Sequence, residues 1–294
     1  MSTAGWGSVT NTGTITASVP VGSTVLAAYL YQSMYNIASV GVFAPGGTLN
    51  ALPVAYGAPV INTSATFLAS SRADVTGIVK PIIDAGPGGV YSFSITEPGG
   101  ETGSTGWDGE ALVVVYSNAS LPTSTVGILD GFSAVGGDSS TITFASALDP
   151  TAAGFFAEMR LGIGYSCCSQ KSTVKVNGVT ITDNAGNNDD GLGSISNGQL
   201  ITVGDYADPF SAMLPSYADD HERYNLVPQV TLGDVAISVF TENPSTDDNI
   251  FLEVFHVAGE ATVVGGDVPE PSSVILLGTI LAGLGYSRWR RKRA

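Results

Sequence analysis

The chain has 294 residues, long enough for one large or two ordinary domains, and only 13% of them are charged. Its net charge of −15 is unevenly placed: five of the 11 basic residues lie between Arg288 and Arg293 and all 26 acidic residues precede them, so residues 1–287 carry −20. Such an acidic body repels nucleic acid and anionic lipid headgroups, which argues against a nucleic-acid role.

The polar residues are mostly Thr, Ser and Asn, which suit strands and turns. Alternation predicts a strand over Thr14–Val19, and the more continuously apolar Thr24–Tyr31 predicts a central one. Ala73–Asp84 predicts a short helix, ended or kinked by Pro81. Further strands are predicted over Gly89–Ile95, Leu112–Tyr116, Thr141–Phe144, Val235–Phe240 and Ile250–Val257. Asn177-Gly178 between alternating runs, Thr173–Val176 and Val179–Thr182, predicts a type I′ hairpin. Strands separated by Gly, Pro, Asn and Asp at short intervals predict an all-β fold, an antiparallel, jelly-roll-like β-sandwich. A body over residues 1–262 is long for one sandwich, and a division into two β-subdomains near Leu121-Pro122-Thr123 is a further expectation. Residues 263–271, with Gly265-Gly266 and two prolines, form a linker.

The chain end has three parts in a fixed order. Val268-Pro269-Glu270-Pro271 comes first, then the apolar run 272–287, then Arg288-Trp289-Arg290-Arg291-Lys292-Arg293-Ala294. The apolar run partitions into lipid, and Arg288, Arg290, Arg291, Lys292 and Arg293 resist crossing and stay cytoplasmic. A transmembrane helix over 272–287 and a basic tail over 288–294 would place the body on the other side of the membrane. The strictly apolar stretch from Val274 to Tyr286 contains Gly278, Gly283 and Gly285. A crossing takes about 20 residues, so this span is thin and relies on snorkelling arginines, which suits a temporary hold. An exported chain is expected to begin with a basic and then apolar leader, and Met1–Trp6 has neither feature. The Pro269-Glu270-Pro271 motif, apolar run and basic end resemble the PEP-CTERM sorting signal of Gram-negative bacteria. The resemblance implies export, brief retention in the inner membrane, processing by an exosortase (a membrane cysteine protease) and delivery to the cell surface or beyond. An ordinary C-terminal anchor shares the topology and differs in the fate of the tail.

The body carries a second resemblance. Ala27-Ala28-Tyr29-Leu30-Tyr31, Arg72-Ala73-Asp74-Val75-Thr76, Gly89-Val90-Tyr91, Gly106–Tyr116 and Asp130-Gly131-Phe132 occur in that order. They resemble a family of uncharacterised extracellular bacterial and archaeal β-domains. Gln32 stands where that family often has Trp, and Asp108-Gly109-Glu110-Ala111 reads as a longer insert before a strand. The likeness implies fold and location only.

Chemistry-bearing motifs are sparse. The chain lacks the signatures of nucleophile-elbow hydrolases, zincins, P-loop enzymes and dinucleotide binders. His256 sits in an alternating strand and reads as a packed or hydrogen-bonded side chain, and His221 as part of a polar loop. The adjacent Cys167 and Cys168 have no metal-binding or catalytic spacing. Two oxygen-rich loops suit Ca²⁺, which takes 6–8 hard ligands: Asp183 with Asp189 and Asp190, and Asp247-Asp248-Asn249 before the last strand. Trp6, Trp107, Tyr206, Phe210, Tyr217 and Tyr224 lie near predicted loops and would either offer stacking faces to a sugar or pack in the core or between subdomains. The expected protein is an exported, non-enzymatic structural or adhesion protein of the cell surface or biofilm matrix. Its expected partners are an exosortase, the inner membrane and an exopolysaccharide, and not nucleic acid. A carbohydrate-binding module with Ca²⁺-stabilised loops and a secreted hydrolase stay open as alternatives.

Overall fold

Thr-, Val- and Ala-rich segments become strands from the second residue onward. The structure is a computed structural model that describes the chain apart from residues 36–43, 64–65, 99–105, 165–171, 187–200, 216–220, 245–248, 262–274 and 277–294. Residues 1–117 form β1 (Ser2–Gly7), β2 (Thr12–Val19), β3 (Thr24–Tyr35), β4 (Thr48–Leu49), β5 (Leu52–Pro53), β6 (Val60–Ile61), β7 (Leu68–Asp74), the helix α1 (Thr76–Asp84), β8 (Gly89–Thr96) and β9 (Trp107–Ser117). Beyond them come β10 (Ser124–Asp130), β11 (Asp138–Thr143), β12 (Ala157–Gly164), β13 (Ser172–Val176), β14 (Val179–Ala185), β15 (Ile201–Val203), β16 (Arg223–Asn225), β17 (Ala236–Glu242), β18 (Asn249–Ala258) and the two-residue β19 (Ile275–Leu276).

The strands make four antiparallel sheets, two in each half of the chain. The N-terminal half has an inner sheet ordered β1-β9-β3-β7-β6 and an outer sheet ordered β2-β8-β4-β5. The C-terminal half has an inner sheet ordered β15-β12-β18-β10-β19, with β16 also on β12, and an outer sheet ordered β11-β17-β13-β14. Each half is sandwich-like. Ile15, Val19, Phe93 and Ile95 of the first outer sheet pack on Val25, Leu30, Leu112 and Val114 of the first inner sheet. Ile142, Val176 and Val239 pack likewise on Met159, Ile163 and Phe255 in the second half. The inner sheets then face each other. Tyr29, Tyr31, Val113 and Val115 meet Val126, Ile128, Phe251 and Val254.

This four-layer stack explains the hydropathy patterns. Outer strands alternate because one face meets water, as in β2 and β8. The central strands are buried on both faces, as in β9 and β12, which is why Leu112–Val115 is apolar without a break. The stretch Asp108–Ala111 belongs to β9 and is not an insert before it.

The expected helix also changes at its start. The helix starts at Thr76, because Ala73 and Asp74 continue β7 opposite Leu30 and Tyr29. Pro81 lies inside α1 without ending it. Val75, Val79 and Ile83, spaced by four, hold that helix on the first core, and Lys80 Nζ donates 2.7 Å to Val25 O. Asn177 and Gly178 have φ of 48° and 80°, the backbone of a type I′ turn. Within the expected membrane span, Ile275 and Leu276 are extended and pair with Ile128 and Gly127. The rest of 272–287 lies outside the described residues, among which no helix is long and apolar enough to cross a membrane.

Close approach of the inner sheets depends on glycine. A Cβ on Gly109 would lie 2.3 Å from Trp6 O and 2.5 Å from Ile201 Cγ2. Gly109→Ala should therefore destabilise the fold by about 1–3 kcal/mol, measured by denaturant unfolding, although the change adds one methyl group.

Candidate functional site on the facing inner sheets

The described members of the oxygen-rich loops, Asp183 and Asn249, lie on different sheets. Asp183 is exposed on β14, in an outer sheet, whereas Asn249 is buried at the start of β18, in an inner sheet. Asn249 Oδ1 accepts from Ser133 Oγ at 3.0 Å, so that oxygen already has a protein donor. Asp189, Asp190, Asp247 and Asp248 lie outside the described residues, as do Cys167, Cys168, the Pro269-Glu270-Pro271 motif and Arg288–Arg293. Among the described residues, no group of three or more His, Cys, Asp or Glu side chains is placed to hold a metal ion. The aromatic set also disperses. Trp107 and Tyr224 are buried, Trp6 and Tyr206 pack partly on the first core, and Tyr217 lies outside the described residues. Phe210 is exposed, and the Arg223 guanidinium covers its ring at 4.4 Å.

The polar groups that the structure does concentrate lie on or beside the inner sheets. Glu110 sits in β9 opposite Gln32 of β3. Gln32 Nε2 donates 3.0 Å to Glu110 Oε1, and Tyr56 OH donates 3.0 Å to Oε2. Asp108 accepts from Ser33 Oγ at 3.3 Å, and Glu97 accepts from Ser8 Oγ at 2.6 Å. Gln32 and the stretch Asp108–Ala111 thus answer each other across one strand pair. Burial pushes the Asp108 carboxyl well above the usual range against the Ser33 hydrogen bond, and pushes Glu110 well up too, with the nearby Glu97 carboxyl adding to both. Burial pushes Glu97 up to about 8. Glu253, enclosed in the second half beside Asp138, is likewise pushed to about 8 by burial and then by the Asp138 charge.

Two charge networks occupy the facing sides of the inner sheets. Arg72 of β7 reaches Asp130 of β10 at 2.6 Å, an ion pair that ties one half to the other. The second network centres on Glu158 of β12, which lies opposite His256 of β18. Arg160 Nη2 donates 3.0 Å to Glu158 Oε1, while Arg223 Nε and Nη2 donate 3.0 and 2.9 Å to Oε2. His256 Nδ1 lies 3.3 Å from Glu158 Oε1, and its Nε2 lies 3.0 Å from Ser124 Oγ. Arg160 Nη1 donates 2.9 Å to Thr3 Oγ1 on β1, which connects this network to the N-terminal half. Burial alone would raise the Glu158 carboxyl, but the His256 hydrogen bond and the Arg160 and Arg223 charges outweigh it and bring it down to about 2. Burial pushes the His256 imidazole below its ordinary value against the pull of Glu158.

The acid is ionised, so the Nδ1 proton donates to it, and neutral His256 then accepts the Ser124 hydroxyl proton at Nε2. Sequence reasoning read His256 as packed or hydrogen-bonded but did not find Ser124 or Glu158. The pairing of three strands joins these residues, and no local motif announces it. His221 is half-buried, and its neighbours Asp219 and Asp220 lie outside the described residues.

No family model matches the chain, and no curated protein matches it. A solved structure, a β-porphyranase of glycoside hydrolase family 86 from the human gut bacterium Bacteroides plebeius, is similar at 10% identity with a TM-score of 0.24. The match covers 89% of this chain and 37% of that one, so the chain spans little more than a third of that enzyme's structure. A likeness at that TM-score carries no argument about fold or chemistry.

The raised carboxyls set the pH response. Glu97 and Glu253 keep their protons to about 8 in the folded chain, against 4.5 for a free glutamate. Between those values the folded state binds more protons than the unfolded one. Their contribution is therefore fully present below pH 4.5 and is lost as pH rises through 8. Denaturant melts should show a higher midpoint at about pH 5 than at about pH 9, and Glu97→Gln combined with Glu253→Gln should flatten that slope.

Proposed function

We propose that this chain is an exported β-protein of the cell surface or biofilm matrix, sent there by its C-terminal tail and released by an exosortase. The observation that carries this reading is the order of Pro269-Glu270-Pro271, the apolar run and the Arg288–Arg293 cluster at the chain end, opposite a strongly acidic body. In lipid, a backbone must satisfy its own hydrogen bonds, which favours a helix over 272–287. Outside lipid, Ile275 and Leu276 pair with the edge of β10 instead.

The character of the body supports a structural or adhesive role. Among the described residues all five cations are engaged internally: Arg72 with Asp130, Lys80 with Asp84, Arg160 and Arg223 with Glu158, and Lys175 over the Phe240 ring. The described surface therefore offers little to an anionic polymer and suits a neutral glycan or one bridged by divalent cations.

Cell fractionation tests the reading. The chain, expressed behind a cleavable leader in a host with an exosortase, should leave the membrane fraction as a shortened product. Replacing Pro269, Glu270 and Pro271 by alanine should leave the full-length form in the membrane. If chains with and without residues 268–294 end in the same compartment, tail-directed sorting is wrong.

A further inference from the structure

We propose that Ser124, His256 and Glu158 form a hydrolytic triad that cleaves small carboxylic esters by acyl transfer through the Ser124 hydroxyl. This goes beyond the delivery role above and replaces the expectation of a catalytically inert body. It rests on the body's geometry and not on the tail, so either idea can fail without the other.

The three residues come from adjacent strands of one sheet, β10, β18 and β12, and share the face that looks toward the N-terminal half. Their connectivity is that of nucleophile, base and orienting acid: Ser124 Oγ to His256 Nε2 at 3.0 Å, and His256 Nδ1 to Glu158 Oε1 at 3.3 Å. Exposure falls along the same path. Ser124 is half-exposed, the His256 side chain is 20% exposed and the Glu158 side chain 9%. The hydroxyl thus faces incoming molecules and the carboxylate stays inside.

A purely structural bridge would need only Glu158, Arg160 and Arg223, which already engage both carboxylate oxygens. His256 and Ser124 extend that bridge outward to a hydroxyl whose hydrogen bond among the described residues is to the imidazole. The two guanidiniums keep Glu158 from turning away, which makes it a positioning residue for the His256 tautomer. The half-buried Phe156 ring, 4.6 Å from the imidazole and tilted by 57°, flanks the base and offers an apolar surface to an acyl chain.

In the reaction, Ser124 Oγ attacks the ester carbonyl carbon while its proton passes to His256 Nε2. The carbonyl-to-alkoxy bond then breaks, and the leaving oxygen takes that proton to depart as the alcohol. Water attacks the acyl-Ser124 carbonyl, gives one proton to Nε2 and releases the carboxylic acid. The Nε2 proton returns to Oγ, and no oxidant or metal is required.

The test uses the full chain with a fluorophosphonate probe and p-nitrophenyl acetate. The folded protein should take up one probe per chain on the peptide containing Ser124 and should hydrolyse the ester. Ser124→Ala should abolish labelling. His256→Gln should slow both reactions on the order of 100-fold or more with an unchanged thermal midpoint. Glu158→Gln should lower kcat at constant KM, and Glu158→Asp should recover part of it, a split that loss of a structural bridge would not produce. If a Glu158 variant fails to fold, Ser124→Ala and Ser124→Cys at the rim still decide the matter, because the thiol should keep acylation that alanine loses. Absence of labelling, labelling elsewhere, or equal rates for the parent chain and Ser124→Ala would overturn the proposal.

Discussion

The facing of the two inner sheets is the constraint on which the rest of this structure depends. β3 and β9 in one half, and β10 and β18 in the other, each have a core on one side and the opposite half on the other. At roughly 25 cal/mol per Å² of buried apolar area, a shared face of Tyr31, Val113, Ile128, Phe251 and Val254 resists separation of the halves. Such a face leaves no room for misplaced bulk, so Gly5 and Gly109 stand where Val203 and Ile201 press in from β15. Any polar group buried in these layers must find a partner or stay neutral, and the chain uses both solutions.

Pairing is the solution at Arg72–Asp130 and around Glu158. Neutrality is the solution at Asp108, Glu110 and Glu97, where burial favours the protonated acid. The same low-dielectric setting makes the Ser124–His256–Glu158 chain chemically distinctive. A carboxylate held ionised by two arginines lies behind an imidazole that burial keeps neutral.

The sequence was legible where a strand has one wet face or an uninterrupted apolar run. β2, β8, β17 and the Asn177-Gly178 hairpin follow from period-two alternation and turn chemistry. It was illegible where an interior face is polar. β12 reads Ala-Glu-Met-Arg-Leu-Gly-Ile-Gly and is buried throughout, but Glu158 and Arg160 hide its strand character because their further partners Thr3, Arg223 and His256 come from distant segments. β1 and β10 were missed for a related reason, since Ser, Thr and Gly between apolar residues also suit a loop. The helix boundary was misjudged because Arg72-Ala73-Asp74 carries no sign that it pairs with β3. Of the Ca²⁺ candidates, Asp183 and Asn249 fall on different sheets, a separation that loop composition alone does not encode.

The position of β18 bears on how the molecule would carry load. It is paired along one side with β12 and along the other with β10, and the chain leaves its far end at Ala258 toward the tail. If the tail is held in a membrane as proposed, tension on it reaches β18, a strand laddered on both sides and covered on both faces. Pulling it out requires both ladders to yield together, whereas an edge strand such as β6 or β14 would peel one bond at a time. Under that proposal the tail would grip the body by an interior strand of its sheet and not by an edge.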